Sequence, residues 1–330
     1  MRQRAVVASG AARLEDVCSA ACRDFLEDRF EMSWNAGGEL TAAELTERLP
    51  GATVLLTSWG TPSLDERMLD AAPDLRAIGH AAGSVKKLVP ESTFDRGIAV
   101  FSAGRRIADS VAEFCLASTL TMLRRLPAFD ARLRAGQWKD GSLRGQELHG
   151  RHIGLIGASS TARAFLRLLA PFDLTVDVYD PYLTAEAAAA LGVRKVSLRE
   201  AMDHEIVSLH VPSTPETAGM IGRELLAALP DGALLINSAR GAALDQDALF
   251  DELASGRISA ALDVYDREPP KLDERIRGAA NVLLTPHVAG DTEQGHLALL
   301  DFVVRDIVGW LDRQEKGPSF VDARAWNVAA

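Results

Sequence analysis

Cysteine is scarce in this chain, with three residues among 330: Cys18, Cys22 and Cys115. Three thiols do not pair off into a disulfide framework, and a metal site needs more ligands than these, so buried structural thiols are expected and no metal. Basic charge is outnumbered. Lys and Arg number 36 against 46 Asp and Glu, a net charge of −10, which argues against a nucleic-acid surface or an anionic membrane as partner. No apolar run reaches the ~18 residues of a membrane span. The first twenty residues, MRQRAVVASGAARLEDVCSA, offer one short apolar strand broken by charge at Arg13, and the expectation is a cytoplasmic protein. No internal repeat of fixed period is found, and only Ala187 to Ala190 is compositionally biased.

What is present is an ordinary globular composition, 47% hydrophobic and 25% charged, in a chain long enough for two domains that each bury a core. Residues 1 to about 101 alternate short strands (Ala5 to Ala8, Thr53 to Thr57, Leu75 to Gly79, Ile98 to Ser102) with helices. A long helical pattern follows from about Ile107 to Gly136, with a kink or break expected at Pro127 and a stop at Gly136. Cys18 and Cys22 fall one helical turn apart in a stretch from about Ala12 to Phe30.

Three stretches in the second half end apolar strands in polar groups: Leu235 to Gly241 (LINSARG), Ala261 to Pro269 (ALDVYDREP) and Thr285 to Gly290 (TPHVAG). Ligands of an open parallel α/β sheet bind outside the carboxyl ends of its strands. Arg240, Asp263, Glu268 and His287 therefore read as an active-site set. A guanidinium clamps a carboxylate with two charge-assisted bonds, and an imidazole beside a carboxylate keeps its proton to higher pH. Glu268 and His287 make a general acid/base couple on this reading. Side chains deliver no hydride, so a redox reaction here needs a cofactor.

Its site is expected in Arg151 to Tyr182. An apolar strand, Ile153 to Ile156, runs into Gly157, a helical pattern continues to about Leu169, and a second strand, Leu174 to Tyr179, ends at Asp180. The unit has the layout of a dinucleotide fingerprint, with a carboxylate about 20 residues past the first glycine. Asp180 would accept hydrogen bonds from ribose hydroxyls and repel a 2′-phosphate, which favours NAD over NADP. The glycine pattern departs from G-x-G-x-x-G: Gly157 is followed by Ala158, Ser159, Ser160, Thr161 and Ala162, so serine stands second and alanine third. A serine there either crowds the cofactor or offers it a hydroxyl.

On these residues and intervals the chain resembles the D-isomer-specific 2-hydroxyacid dehydrogenase family, from roughly Leu55 to Trp310. The segments Ser110 to Leu120 (SVAEFCLASTL), Ser208 to Thr217 (SLHVPSTPET) and Ser255 to Val264 (SGRISAALDV) add to the likeness. The resemblance implies an α/β protein of two Rossmann-like domains with parallel sheets and an active site in the interdomain cleft. The substrate domain would comprise residues 1–101 and 292–330 and the NAD domain residues 102–291. It implies that Arg240 binds and polarises a 2-oxo acid, that His287 donates the proton, and that Glu268 holds His287. Cofactor contacts are expected at Gly157, Ser159, Ser160, Thr161, Asp180, His210, Pro212, Thr217, Ala239, Asp263, His287 and Gly290, with Asp263 meeting the nicotinamide carboxamide. A homodimer through the long helix is implied as well.

Two places depart from the family. The turn that meets the substrate carboxylate reads His80, Ala81, Ala82, Gly83, Ser84, Val85, whose small residues still permit an anion-binding nest. Ile107 stands where many members have asparagine. Substrate contacts are expected at Trp59, His80, Ala82, Gly83, Ser84 and Arg240, with His80 as readily satisfying its own loop. No arginine or lysine lies between Leu55 and Leu64, so a small or apolar unphosphorylated 2-oxo acid is expected. The alternative is an NAD(H)-binding corepressor or sensor of the same fold.

Overall fold

Short runs of aliphatic residues, apolar on both faces, dictate strands that lie in the middle of a layered sheet. In the first unit they form β1 (Arg4–Val7), β2 (Glu31–Ser33), β3 (Val54–Thr57), β4 (Ala77–His80) and β5 (Ala99–Ser102), and β13 (Phe320–Val321) joins from the other end of the chain. The order is β13-β5-β4-β3-β1-β2, parallel except where β13 pairs antiparallel with β5. Alternate residues feed two cores. Val7, Val54, Leu56 and Phe101 pack with Leu26, Phe30, Val303 and Ile307, while Val6, Leu55, Ile78 and Val100 pack with Leu45, Met68 and Val89. The computed structural model describes residues 2–323 and 326; the remainder of the expected first domain, Met1 and residues 324, 325 and 327–330, lies outside the described residues.

The second unit holds β6 (His152–Ile156), β7 (Thr175–Tyr179), β8 (Arg194–Lys195), β9 (Ile206–Leu209), β10 (Leu234–Asn237), β11 (Ser259–Leu262) and β12 (Val282–Leu284). All are parallel, in the order β12-β11-β10-β9-β6-β7-β8. The strand order reverses at β6 and β9, the place where doubly wound sheets leave a crevice for a nucleotide. The compact units are residues 1–107 with 291–330, and residues 108–290. The first boundary falls inside one continuous helix, Gly104–Leu123, so no change of composition marks it. Among the described residues, no helix is long and apolar enough to cross a membrane.

The long helical pattern is two helices, Gly104–Leu123 and Leu126–Arg134, separated by Arg125 at φ 53°. A proline ring clashes with the carbonyl four residues before it; for Pro127 that is the carbonyl of Leu123, where the first helix stops. Pro127 then sits at the start of the second helix, where a missing N–H costs nothing, and Gly136 follows its end at φ 75°. The stretch around Cys18 and Cys22 is likewise two helices, Ala11–Val17 and Ala20–Arg29, with Ser19 capping the second by accepting the Cys22 N–H. All three thiols are buried.

Candidate active site

At the end of β6, Gly157 takes φ 102°, and a Cβ there would lie 2.7 Å from the His210 carbonyl oxygen. Only glycine fits. Ser159, in the place of the second glycine, is extended (φ −61°, ψ 174°) and caps the helix Ser160–Leu169, its side chain accepting the Ala162 N–H at 3.4 Å. A glycine conformation is therefore not required at that place. Ser160 and Thr161 form the first turn, and Ala162 is fully buried against the strands.

Asp180 is tied to this loop. Its Oδ2 accepts the Ala158 N–H at 2.8 Å, while Oδ1 accepts those of Tyr182 at 2.8 Å and Leu183 at 3.2 Å. Beyond β9, the His210 ring rests against Phe165 with centroids 5.8 Å apart. Burial pushes its pKa down to about 3, and among the described residues neither ring nitrogen has a partner. A neutral imidazole left unsatisfied beside the glycine turn is the kind of buried polar group a ligand completes. Thr217 Oγ1 donates to the Pro212 carbonyl at 2.6 Å and closes the following loop. This strand–glycine turn–helix, with Asp180 at its edge, fits a dinucleotide.

The reactive groups gather across β10, β11 and β12. Asn237 shapes the turn after β10, accepting the Ala239 N–H at 3.1 Å and donating to the Arg240 carbonyl at 3.0 Å. A Cβ on Gly241 would lie 1.8 Å from the Tyr265 carbonyl carbon, so the Arg240 turn rests directly on the backbone that leads to Glu268. Arg240 donates through Nη1 to the Ala239 carbonyl at 2.7 Å. Burial lowers its pKa and the nearby Glu268 carboxylate raises it.

Glu268 Oε1 accepts the Tyr265 N–H at 3.1 Å, and its Oε2 meets His287 Nδ1 at 2.6 Å. With Nδ1 committed to a carboxylate, Nε2 of His287 is the nitrogen left to exchange a proton. His287 adopts φ 58°, and the fully buried Asp263 holds it there. The Asp263 carbonyl accepts the His287 N–H at 2.8 Å. Its Oδ1 accepts from Thr285 Oγ1 at 2.6 Å and the Val288 N–H at 2.8 Å, and its Oδ2 from the Ala289 N–H at 2.9 Å, just before Gly290. Asp263, expected against the cofactor, also shapes the turn that carries His287.

In the first unit, Ser58 Oγ donates to the Ala81 carbonyl at 2.9 Å and Ser102 Oγ donates to that of Gly83, which fixes the small-residue turn Ala82, Gly83, Ser84. His80 Nδ1 lies 2.9 Å from Thr57 Oγ1, and Thr57 in turn donates to the Gly79 carbonyl at 3.1 Å. Since that hydroxyl has one proton, His80 Nδ1 is the donor in the pair. Burial pulls the His80 pKa to about 4, so the ring is neutral.

Trp59 stands between the Arg13 guanidinium, 5.5 Å from its ring, and the His296 ring, 5.3 Å away and tilted 30°. Asp16 joins the two, 2.7 Å from Arg13 and 2.9 Å from His296. Arg13, Asp16 and His296 were not expected beside Trp59: His296 is remote in sequence, and the i,i+3 spacing of Arg13 and Asp16 was the one local sign.

The family model for the D-isomer specific 2-hydroxyacid dehydrogenase NAD binding domain matches residues 116–289. The D-3-phosphoglycerate dehydrogenase of Methanocaldococcus jannaschii is 34% identical over 271 residues, which is 81% of this chain and 51% of that protein. The chain spans about half the length of the first such relatives. The hydroxypyruvate reductase of Thermotoga maritima is 31% identical over 255 residues, 76% of this chain and 82% of that one. Among solved structures, a phosphoglycerate oxidoreductase from Rhizobium etli superposes with a TM-score of 0.84 at 26% identity, covering 97% of this chain and 99% of that one.

Proposed function

The chain belongs to the D-isomer-specific 2-hydroxyacid dehydrogenase family, and from that premise we propose that it is an NADH-dependent reductase of an unphosphorylated 2-oxo acid. The reaction is 2-oxo acid plus NADH plus a proton giving the D-2-hydroxy acid and NAD, and it is reversible. The observation that carries the reading is the 2.6 Å pairing of His287 Nδ1 with Glu268, with Arg240 in electrostatic reach of the same carboxylate.

The cofactor, when bound, supplies the hydride; Gly157, Asp180 and His210 would hold it. Arg240 presents a guanidinium to the 2-oxo acid and draws electron density from its carbonyl. His287 delivers a proton from Nε2 to the carbonyl oxygen, and the Glu268 carboxylate stabilises the doubly protonated ring that does so. In the reverse direction the same nitrogen removes the hydroxyl proton.

Two features of the first unit support an unphosphorylated substrate. A phosphate needs charge-assisted partners, whereas His80 is neutral and bonded to Thr57. The Arg13 guanidinium over Trp59 is already paired with Asp16 at 2.7 Å. Glyoxylate, hydroxypyruvate, pyruvate and an arylpyruvate are the candidates.

The test is NADH oxidation measured with each of these acids and with 3-phosphohydroxypyruvate. Turnover of an unphosphorylated acid with higher kcat/KM supports the proposal, and a clear preference for the phosphate overturns the substrate assignment. Tight NADH binding with no acid reduced would favour a corepressor or sensor.

A further inference from the structure

The helix that faces the dinucleotide, Ser160–Leu169, has no acidic residue in its first turn. Immediately after that turn comes an arginine, Arg163. A cation near the positive end of a helix dipole is unfavourable unless something anionic shares the site. The neighbour of Arg163 on the same helix face has a carboxylate partner, Arg167 lying 2.9 Å from Asp109. The Arg163 side chain is exposed and folds back over the glycine turn, where Nε donates to the Ala158 carbonyl at 3.0 Å. Among the described residues that carbonyl is its guanidinium's only partner. Both terminal nitrogens are left beside the loop.

The same loop has given up part of its usual means of holding phosphate. Ser159 puts a side chain where the fingerprint has glycine, and its hydroxyl occupies the Ala162 N–H. Behind the turn, His210 is buried with both nitrogens unsatisfied. The surroundings are therefore a helix N-terminus, a guanidinium bonded only through Nε to the Ala158 carbonyl, and an incomplete polar pocket.

We infer that Arg163 is the counter-charge to the cofactor's pyrophosphate, its Nε anchored on Ala158 and its terminal nitrogens donating to phosphate oxygens. This rests on NAD occupying the loop and is independent of which acid, if any, is reduced. Because the pyrophosphate is common to both nicotinamide dinucleotides, Arg163 contributes affinity for NADH and NADPH alike, while Asp180 discriminates between them.

The experiment is titration of the full chain with NADH, NADPH and adenosine, following fluorescence or heat, for the wild type, Arg163→Gln and Arg163→Lys. Arg163→Gln is expected to raise the Kd for NADH about tenfold, the size of one charge-assisted hydrogen bond, and that for NADPH by the same factor. The salt dependence of binding falls, adenosine affinity and Tm stay unchanged, and Arg163→Lys recovers part of the loss. An unchanged Kd for NADH in Arg163→Gln overturns the inference. So does a loss confined to NADPH, which would make Arg163 a 2′-phosphate partner, or a parallel fall in Tm and adenosine binding, which would make it a scaffold of the loop. No 2-oxo acid enters the measurement, so a protein that fails to reduce any acid can still pass it.

Discussion

His287 holds a backbone conformation that non-glycine residues avoid, at an expense of order 1–3 kcal/mol, and three hydrogen bonds to the Asp263 carboxylate fix the turn that carries it. Replacing His287 by asparagine should remove the proton donor and lower kcat by a factor of roughly a hundred to ten thousand, with the Kd for NADH nearly unchanged. Wild-type turnover in that variant would show the assignment of the acid to be wrong. Asp180 carries a second prediction. NADH should exceed NADPH in kcat/KM, and Asp180→Ser should narrow that gap by about tenfold. The same change should weaken both cofactors somewhat, because Oδ1 also holds the turn at Tyr182 and Leu183. Equal efficiency with the two cofactors in the unmutated protein would exclude the assigned role. At this scale the pairing of Glu268 with His287 was legible, since both stand at polar ends of apolar strands at a telling interval. The grip of Asp263 was not. Its partners are largely backbone N–H groups, which every residue has, and only folding decides which ones converge.

Elements were legible in proportion to how much apolar surface they bury. Strands such as β1 and β3 lie within a residue of expectation. Those not foreseen, β2, β8 and β13, run two or three residues with little buried surface. Both residues of β8 are exposed, and side-chain bonding holds it instead of packing: Arg194 donates to both oxygens of the buried Asp177 at 2.8 and 2.6 Å, and His204 Nε2 lies 2.9 Å from the same carboxylate. Asp177→Asn should therefore release this edge and destabilise the protein by about 1–3 kcal/mol, read as a lower urea midpoint, with faster amide exchange confined to β8 and its neighbour. A midpoint equal to wild type would mean that the edge holds without the ion pair. The split of the long helical pattern was half legible: Pro127 announced a break, but its place follows from the Leu123 carbonyl and not from the proline itself.

For the molecule as a whole, association and acid stability both follow from burial. The helix Leu126–Arg134 has no buried residue in the chain, and Leu126, Leu133 and Trp138 are 53%, 60% and 75% exposed. A stretch this apolar calls for a partner, and a second copy of the chain meeting it about a twofold axis is the expected one. Light scattering at micromolar concentration should give twice 35.5 kDa, and a monomer would reject the dimer. Acid stability has a definite sign. His80 and His210 are neutral in the fold, with pKa values near 4 and 3, against about 6.5 in an unfolded chain. As pH falls below about 6.5 the unfolded chain takes up protons that the folded one refuses, so stability is complete above that pH and declines toward 4. Asp177, held below the usual carboxylate range by its bonds to Arg194, adds a further loss below about 3.9. Tm of the cofactor-free protein should be level near neutrality and fall between pH 6.5 and 4; a level Tm down to pH 4 would contradict the burial of these rings.

The two sheets share a parallel architecture, and each reverses its strand order once, the first between β1 and β3. In the first sheet that crevice is stopped by the chain itself. The Gly37 carbonyl accepts the Ala11 N–H at 2.8 Å, Gly10 is pressed against Gly38, Glu39 reaches over Gly60, and the buried Asn35 pins the segment through Gly37 and Gly38. A helix N-terminus already supplied with a carbonyl has little left to offer a phosphate. The duplication of the layout should therefore not duplicate the binding capacity: calorimetric titration should saturate at one dinucleotide per chain, with residues 35–39 setting that stoichiometry.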